Sequence, residues 1–166
     1  MKTVTQPLRE EHKTLLPHIE SLRAAGDAIR DDEITPATRK TIEKAYEFLT
    51  RHLIPHARAE DRELYPVVQR VMGSPAATAT MSRDHVEVHS LTLELKEYVR
   101  VLGSGKFMGN QANELRRVLY GLYTLVKIHF IKEEEIYLPL LDTHLSEQEA
   151  REMFDAMEAF VKGHAH

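Results

Sequence analysis

The sequence predicts an all-α protein: an up-down-up-down four-helix bundle with a short fifth helix at its C-terminus. Apolar residues recur at helical spacing over most of the chain, four long helical segments are joined by short loops, and no segment alternates as a strand would. The predicted domains are residues 1–145, which form the bundle, and residues 146–166, a helix packed on the bundle together with its tail.

The first two helices carry start and stop signals. The first begins near Pro7, which suits a first-turn position, and Pro17 is expected to kink it because proline removes an amide donor. The second begins with Thr35 as its cap and Pro36 as its first helical residue. Gly73 is expected to end it.

The other three helices are predicted at about residues 76–102, 111–141 and 146–163. The last one begins with a capping box from Ser146 to Glu149 and ends at Gly163. Its apolar stripe is expected to cover the bundle, with a homodimer interface as the alternative.

Composition limits the classes of function. The formal net charge of −4 argues against nucleic acid as the main partner, since phosphate binding favours a basic surface. The absence of cysteine excludes disulfides, thiolate metal sites and thiol chemistry. No apolar run is long enough to span a membrane and no signal peptide is evident, so we expect a cytoplasmic protein.

The segments HARAEDRELYP at 56–66 and HFIKEEEIYLP at 129–139 have their histidine, glutamate and proline at the same spacing. A shift of 73 residues superposes them, and it aligns a further histidine pair as well. The aligned pairs are His12 with His85, His56 with His129, and Glu60 with Glu133. One helix-pair unit is therefore predicted to occur twice, related by an approximate two-fold axis.

Side chains four residues apart lie on one face of a helix, so the paired histidines and glutamates can converge in the bundle interior. The candidate metal ligands are His12, His56, Glu60, His85, His89, His129 and Glu133. Five imidazoles and two carboxylates suit two ions, and their chemistry favours iron, manganese or zinc. In the alternative, buried histidines bond only to glutamates, and several polar groups must then satisfy one another.

A lone His, then His-x3-Glu, His-x3-His, and finally His followed by a carboxylate is an order that resembles the hemerythrin-like proteins, or HHE cation-binding domain, over about residues 8–142. The resemblance implies a four-helix bundle with an oxo- or hydroxo-bridged pair of iron ions. The ligands that it implies are His85, His89 and His129 for one iron, His12 and His56 for the other, and Glu60 and Glu133 as bridges.

The last carboxylate departs from the family pattern. In the oxygen-carrying members it is an aspartate five residues after its histidine, whereas residues 133–135 here are all glutamate. We expect Glu133 to bridge, because it matches Glu60 in the repeat and lies about 40° from His129 around the helix, against roughly 140° for Glu134.

The repeat is not symmetric at every position. Leu16 is the partner of His89, which predicts one imidazole fewer, and hence an open position, on the ion held by the first helix pair. Tyr65 and Tyr137 are expected to pack in the core, with hydrogen bonds to a carboxylate as the alternative. His52 is expected to lie outside the ligand set, with support of a ligand as the alternative.

The resemblance implies a small ligand: dioxygen, hydrogen peroxide or nitric oxide. It leaves three roles open: reversible oxygen carriage, a peroxide-decomposing or nitric-oxide-reducing enzyme, and an iron or oxygen sensor that acts through a partner. The structural rival is a ferritin-like di-iron oxidase, but that class uses more carboxylates and a Glu-x-x-His order.

Overall fold

The computed structural model describes residues 3–30, 33–102 and 105–164, and nearly all of its regular structure is helical. The all-α prediction is confirmed. The outermost residues of both predicted domains, 1–2 and 165–166, lie outside the described residues. Within the part of the chain that is described, no helix is long and apolar enough to cross a bilayer.

The first long helix, α1, spans Gln6–Ala28, with Pro7 in its first turn and Pro17 inside it. The second helical rod comprises α2 (Pro36–Phe48), α3 (Ile54–Ala59) and α4 (Tyr65–Met72), joined without a loop by two π-helical turns. The hydroxyl of Thr35 caps the rod by accepting from the amide of Thr38 at 3.0 Å. Gly73, at φ +64°, ends it in the left-handed conformation that the sequence predicts.

The second half of the chain follows the same plan. Helix α5 spans Ala79–Val101, and the fourth rod comprises α6 (Gln111–Lys132), a π turn and α7 (Leu138–His144). Helix α8 spans Glu147–Gly163 and begins with the predicted capping box. The sequence did not predict one small feature, an antiparallel pair of two-residue strands, β1 (Glu33–Ile34) and β2 (Gly105–Lys106).

Prolines explain the π turns. The three turns are Leu49–Leu53, Glu60–Leu64 and Glu133–Tyr137. Each of them ends two residues before a proline, and these prolines are Pro55, Pro66 and Pro139. Proline has no amide hydrogen and its ring crowds the carbonyl four residues earlier, so a widened preceding turn relieves the contact. We had expected the prolines to bend the helix ends; instead, they widen the helices in the middle of the rods.

The helices enclose two separate apolar clusters. Helix α1 packs against α2 and α6, α5 packs against the same two helices, and α8 packs against α3 and the π turn that follows it. On α1, Leu8 belongs to one cluster and Leu15 to the other; on α5, Met81 and Val88 are divided in the same way. The layer between the clusters contains most of the buried ionisable side chains.

Close packing of α1 on α6 gives a testable prediction at Gly26. A Cβ atom there would lie 2.7 Å from Cε1 of Tyr120. Overpacking costs about 1–3 kcal/mol, and the gain in helix propensity is at most about 1 kcal/mol. We therefore expect Gly26→Ala to lower the free energy of unfolding, measured with urea, by about 1 kcal/mol.

The matched control is Gly121→Ala in α6. The nearest atom to its new Cβ would be a Leu91 methyl group at 3.7 Å, an ordinary contact. This variant should gain up to about 1 kcal/mol from helix propensity. Equal stabilisation of both variants would show that α1 and α6 pack less closely than described.

Candidate metal centre

Six of the seven predicted ligands meet in the layer between the two apolar clusters. They are His12 on α1, His56 on α3, His85 on α5, His129 on α6, and Glu60 and Glu133 at the first positions of two π turns. The two glutamates are completely buried, and His12, His56 and His129 are at most 4% exposed. The chain thus places ionisable groups from all four rods at one buried point.

Glu60 faces one imidazole from each half of the chain. Its Oε1 atom lies 2.8 Å from Nε2 of His56, and its Oε2 atom lies 3.3 Å from Nε2 of His85. Glu133 faces the other two imidazoles, with Oε1 3.3 Å from Nε2 of His129 and Oε2 3.4 Å from Nε2 of His12. Each carboxylate therefore presents one oxygen to each half of the site.

Several of these buried atoms have no hydrogen-bond partner. They are Nε2 of His12, Nε2 of His56, both carboxylate oxygens of Glu60 and Oε2 of Glu133. Leaving a buried polar atom unpaired costs roughly 1–3 kcal/mol, and more when the group is charged. Lone pairs converging on one point are what a cation requires, so these residues fit a bound metal and fit poorly as a set of mutual hydrogen bonds.

The geometry suits two cations better than one. His12, His56 and Glu60 have donor atoms within 4.8 Å of one another, and so do Glu60, His85 and His129. Glu60 belongs to both groups. A shared carboxylate with two free oxygens is the arrangement expected of a bridging ligand.

The protein groups strongly favour ionisation here. Burial lowers the pKa of the His85 imidazole, but Asp61 and Glu60 outweigh it and raise that pKa to about 9. Burial also opposes the charge on His56, yet Glu60 and Glu11 raise its pKa well above the ordinary value. For Glu60, burial is outweighed by His56, His12 and His85, which hold its pKa well below the usual range. A cation that binds here therefore displaces protons from the imidazoles.

A ring of carboxylates surrounds the four imidazoles. Each imidazole places Nδ1 against one carboxylate oxygen: His12 on Glu134 at 2.7 Å, His56 on Glu11 at 2.9 Å, His85 on Asp61 at 2.8 Å, and His129 on Asp84 at 3.0 Å. Such bonds fix the tautomer so that Nε2 carries the lone pair towards the centre. We did not predict these carboxylates. Each follows or precedes a predicted ligand in the sequence, and the ring obeys the same shift of 73 residues.

The ring explains the two adjacent glutamates of the fourth rod. Glu133 is fully buried and points to the centre, whereas Glu134 lies outside it and accepts from both His12 and Arg9. The expectation that Glu133 faces the centre thus agrees with the structure. Glu134 instead orients a histidine.

His89 is the one predicted ligand that the structure does not bring to the cluster. Its side chain is exposed, one turn beyond His85 on a regular helix, and so it lies about 6 Å further along the axis and turned towards solvent. Its repeat partner Leu16 is also exposed, by 43%. The asymmetry between these two positions is therefore a surface difference, and it does not create the open position predicted on the His12 and His56 side.

Tyr65 breaks the symmetry of the centre instead. Its hydroxyl donates to Oε1 of Glu133 at 2.8 Å and lies 3.1 Å from Nε2 of His129. Burial and the charges of Glu60 and Glu133 raise the pKa of Tyr65, so the hydroxyl keeps its proton. Its repeat partner, Leu138, is an apolar residue that is also fully buried.

The two other residues whose roles were left open lie elsewhere. Tyr137 is buried, but its hydroxyl donates to the backbone carbonyl of Ala77 at 2.9 Å, away from the centre. His52 is exposed and stacks near His18 on the surface.

Apolar side chains limit access to the centre. The Phe130 ring stacks on His12 with 4.2 Å between ring centroids. A cavity of about 10 Å³ lies beside the centre, and its apolar lining is Leu53, Ala57, Val88, Val126 and Phe130. On another side, a groove of about 730 Å³ between α1 and α8 reaches His56 and its partner Glu11.

Comparison with known proteins gives one match. The family model described as the hemerythrin HHE cation binding domain matches residues 3–141. No curated protein and no solved structure gives a significant match.

The different positions of His85 and His89 generate a prediction. Both variants, His85→Ala and His89→Ala, remove one imidazole from the same helix, but only the first removes a donor from the buried cluster. We expect elemental analysis after metal loading to show reduced metal content in His85→Ala and unchanged content in His89→Ala. Reduced metal content in His89→Ala would mean that α5 turns this histidine inward when a cation binds.

Proposed function

This chain belongs to the hemerythrin HHE cation-binding family, and we propose that it holds two iron ions and uses them to react with a small oxidant, most specifically hydrogen peroxide. The observation that carries the proposal is the sharing of Glu60 between two groups of three donors. His12 and His56 would hold one ion and His85 and His129 the other, with Glu60 and Glu133 reaching both.

The donor set supports iron. Imidazole with carboxylate suits iron, manganese or zinc, and members of this family typically bind iron. A pair of iron ions, when bound, supplies the two electrons needed to reduce dioxygen to the level of peroxide, or peroxide to water. The carboxylate ring keeps the four imidazoles in the tautomer that such binding needs.

The small cavity determines which molecules reach this centre. A volume of about 10 Å³ admits a single molecule about the size of water, so dioxygen, hydrogen peroxide and nitric oxide are suitable in size and larger organic molecules are not. Its apolar lining favours a small neutral ligand. This size limit argues against hydroxylation of an organic substrate.

Tyr65 favours an enzyme over a simple carrier. When hydrogen peroxide breaks down to water and dioxygen, an oxygen atom has to gain protons as the O–O bond breaks. The Tyr65 hydroxyl holds a proton beside Glu133 and His129, within hydrogen-bond reach of an oxygen ligand at this point. Reversible oxygen carriage is the second candidate, because the same hydroxyl can stabilise a bound dioxygen by hydrogen bonding.

Some features expected from the sequence accompany this proposal. We interpret the contacts of α1, α2, α5 and α6 as the up-down-up-down bundle and α8 as the fifth helix packed on it. The domain boundary at residue 145, the homodimer, the cytoplasmic location and the sensor role remain predictions.

The first experiment measures metal content and reactivity together. We expect the protein loaded with ferrous iron without air to retain two irons per chain. The addition of hydrogen peroxide should then release dioxygen, followed with an oxygen electrode, whereas protein loaded with zinc should release none. One ion per chain would refute the two-iron proposal. A stable, reversible oxygen spectrum without peroxide breakdown would favour the carrier.

The second experiment tests Tyr65. We expect Tyr65→Phe to retain its iron and to break down peroxide about 100-fold more slowly, because positioned proton donors contribute roughly 10²–10⁴-fold. Tyr137→Phe is the matched control, since it loses a hydroxyl that bonds outside the centre. Equal rates in the two variants would remove Tyr65 from the mechanism.

A further inference from the structure

The carboxylates around the four imidazoles differ in charge compensation. Glu134, behind His12, is paired with Arg9 at 2.6 Å. Asp84, behind His129, is paired with Lys132. Two of the four imidazoles are therefore supported by a neutralised carboxylate.

The other two carboxylates have no basic partner among residues 3–30, 33–102 and 105–164 apart from the histidine that each one supports. Asp61, behind His85, accepts a hydrogen bond from the Ser82 hydroxyl at 2.7 Å. Glu11, behind His56, is partly exposed in the groove between α1 and α8. Under the shift of 73 residues, Arg9 corresponds to Ser82 and Lys132 to Ala59, so the basic residues are what breaks the symmetry of the ring.

This difference coincides with the two central carboxylates. The imidazoles that face Glu60, His56 and His85, are the two supported by uncompensated anions. The imidazoles that face Glu133, His12 and His129, are the two supported by ion pairs. Each candidate ion thus has one imidazole of each kind, and the difference lies between the Glu60 side and the Glu133 side of the centre.

A carboxylate that accepts the Nδ1 proton of a histidine pushes electron density towards Nε2 and makes the ring a stronger donor. A cation bound to that carboxylate opposes the effect. Water screens Glu11 and Asp61, but a hydrated carboxylate keeps its charge, whereas a contact ion pair cancels most of it at the distance of the imidazole.

We propose that Arg9 and Lys132 are tuning residues that weaken His12 and His129 as donors, giving the metal centre a strong-donor side at Glu60 and a weak-donor side at Glu133. The inference rests on the proposed function only in requiring a cation between the imidazoles. The weaker side is also where the Tyr65 hydroxyl bonds to Glu133. The two features together distinguish the Glu133 side as the more loosely held part of the centre.

The first test uses zinc, which is diamagnetic and requires no redox activity. In the zinc-loaded protein, NMR should show the Nδ1 protons of His56 and His85 further downfield than those of His12 and His129, because the stronger acceptors bind them more tightly. Arg9→Gln should move the His12 resonance downfield, and Lys132→Gln should do the same for His129. Four equivalent resonances in the wild-type protein, or no movement in either variant, would overturn the inference.

The second test separates charge from geometry. In the iron-loaded protein, Arg9→Gln and Lys132→Gln should lower the midpoint reduction potential, Glu11→Gln should raise it, and Arg9→Lys and Lys132→Arg should stay near the wild type. Arg70→Gln, which removes an exposed cation paired with Glu149, is the control for net charge. If Arg9→Lys behaves as Arg9→Gln does, the residue acts through its geometry and the inference fails.

The same experiments keep the two proposals apart. Normal loading with two metals but equal donor strengths would refute the tuning role and leave the proposed function intact. Failure of the wild-type protein to bind zinc or iron would refute the proposed function and the tuning role with it.

Discussion

The structure depends on one electrostatic constraint: two carboxylates and four imidazoles share a space that excludes water. Glu60 is fully buried with neither oxygen hydrogen-bonded, a cost that a folded chain tolerates only where another charge compensates it. The apolar clusters on either side supply the stability that allows such a layer to exist. A pair of cations turns the same layer from a destabilising element into one that cross-links all four rods.

The irregular helices make this layer possible. Both central glutamates are the first residues of π turns, and each turn is followed by a proline that disfavours a return to regular helical hydrogen bonding. In a π turn, residues five apart lie nearly above one another, so Tyr65 shares a face with Glu60 and reaches the centre. In a regular helix it would lie roughly 140° away. The widened turn therefore provides the site with a hydroxyl group.

The sequence predicted most of the centre because the repeat acts as an internal comparison, in which each ligand of one half is checked by its counterpart in the other. It could not predict Tyr65, because a helical projection with constant angle per residue does not include a π turn. It misplaced His89 for a related reason: spacing describes direction around a helix but not the height of the site along it. The outer carboxylates could have been found, since each adjoins a ligand and recurs at the same shift.

The hydrogen bonds of the ring cross between the two halves of the chain. Glu11 bonds to His56 and Asp84 to His129 within one half, but Asp61 supports His85 and Glu134 supports His12 across the boundary. One helical hairpin by itself would hold a single ion with incomplete support and an apolar face left uncovered. An ancestor of that length would have needed a second copy of itself to become a working molecule. Fusion of the two copies then freed one half to acquire Tyr65 without its twin.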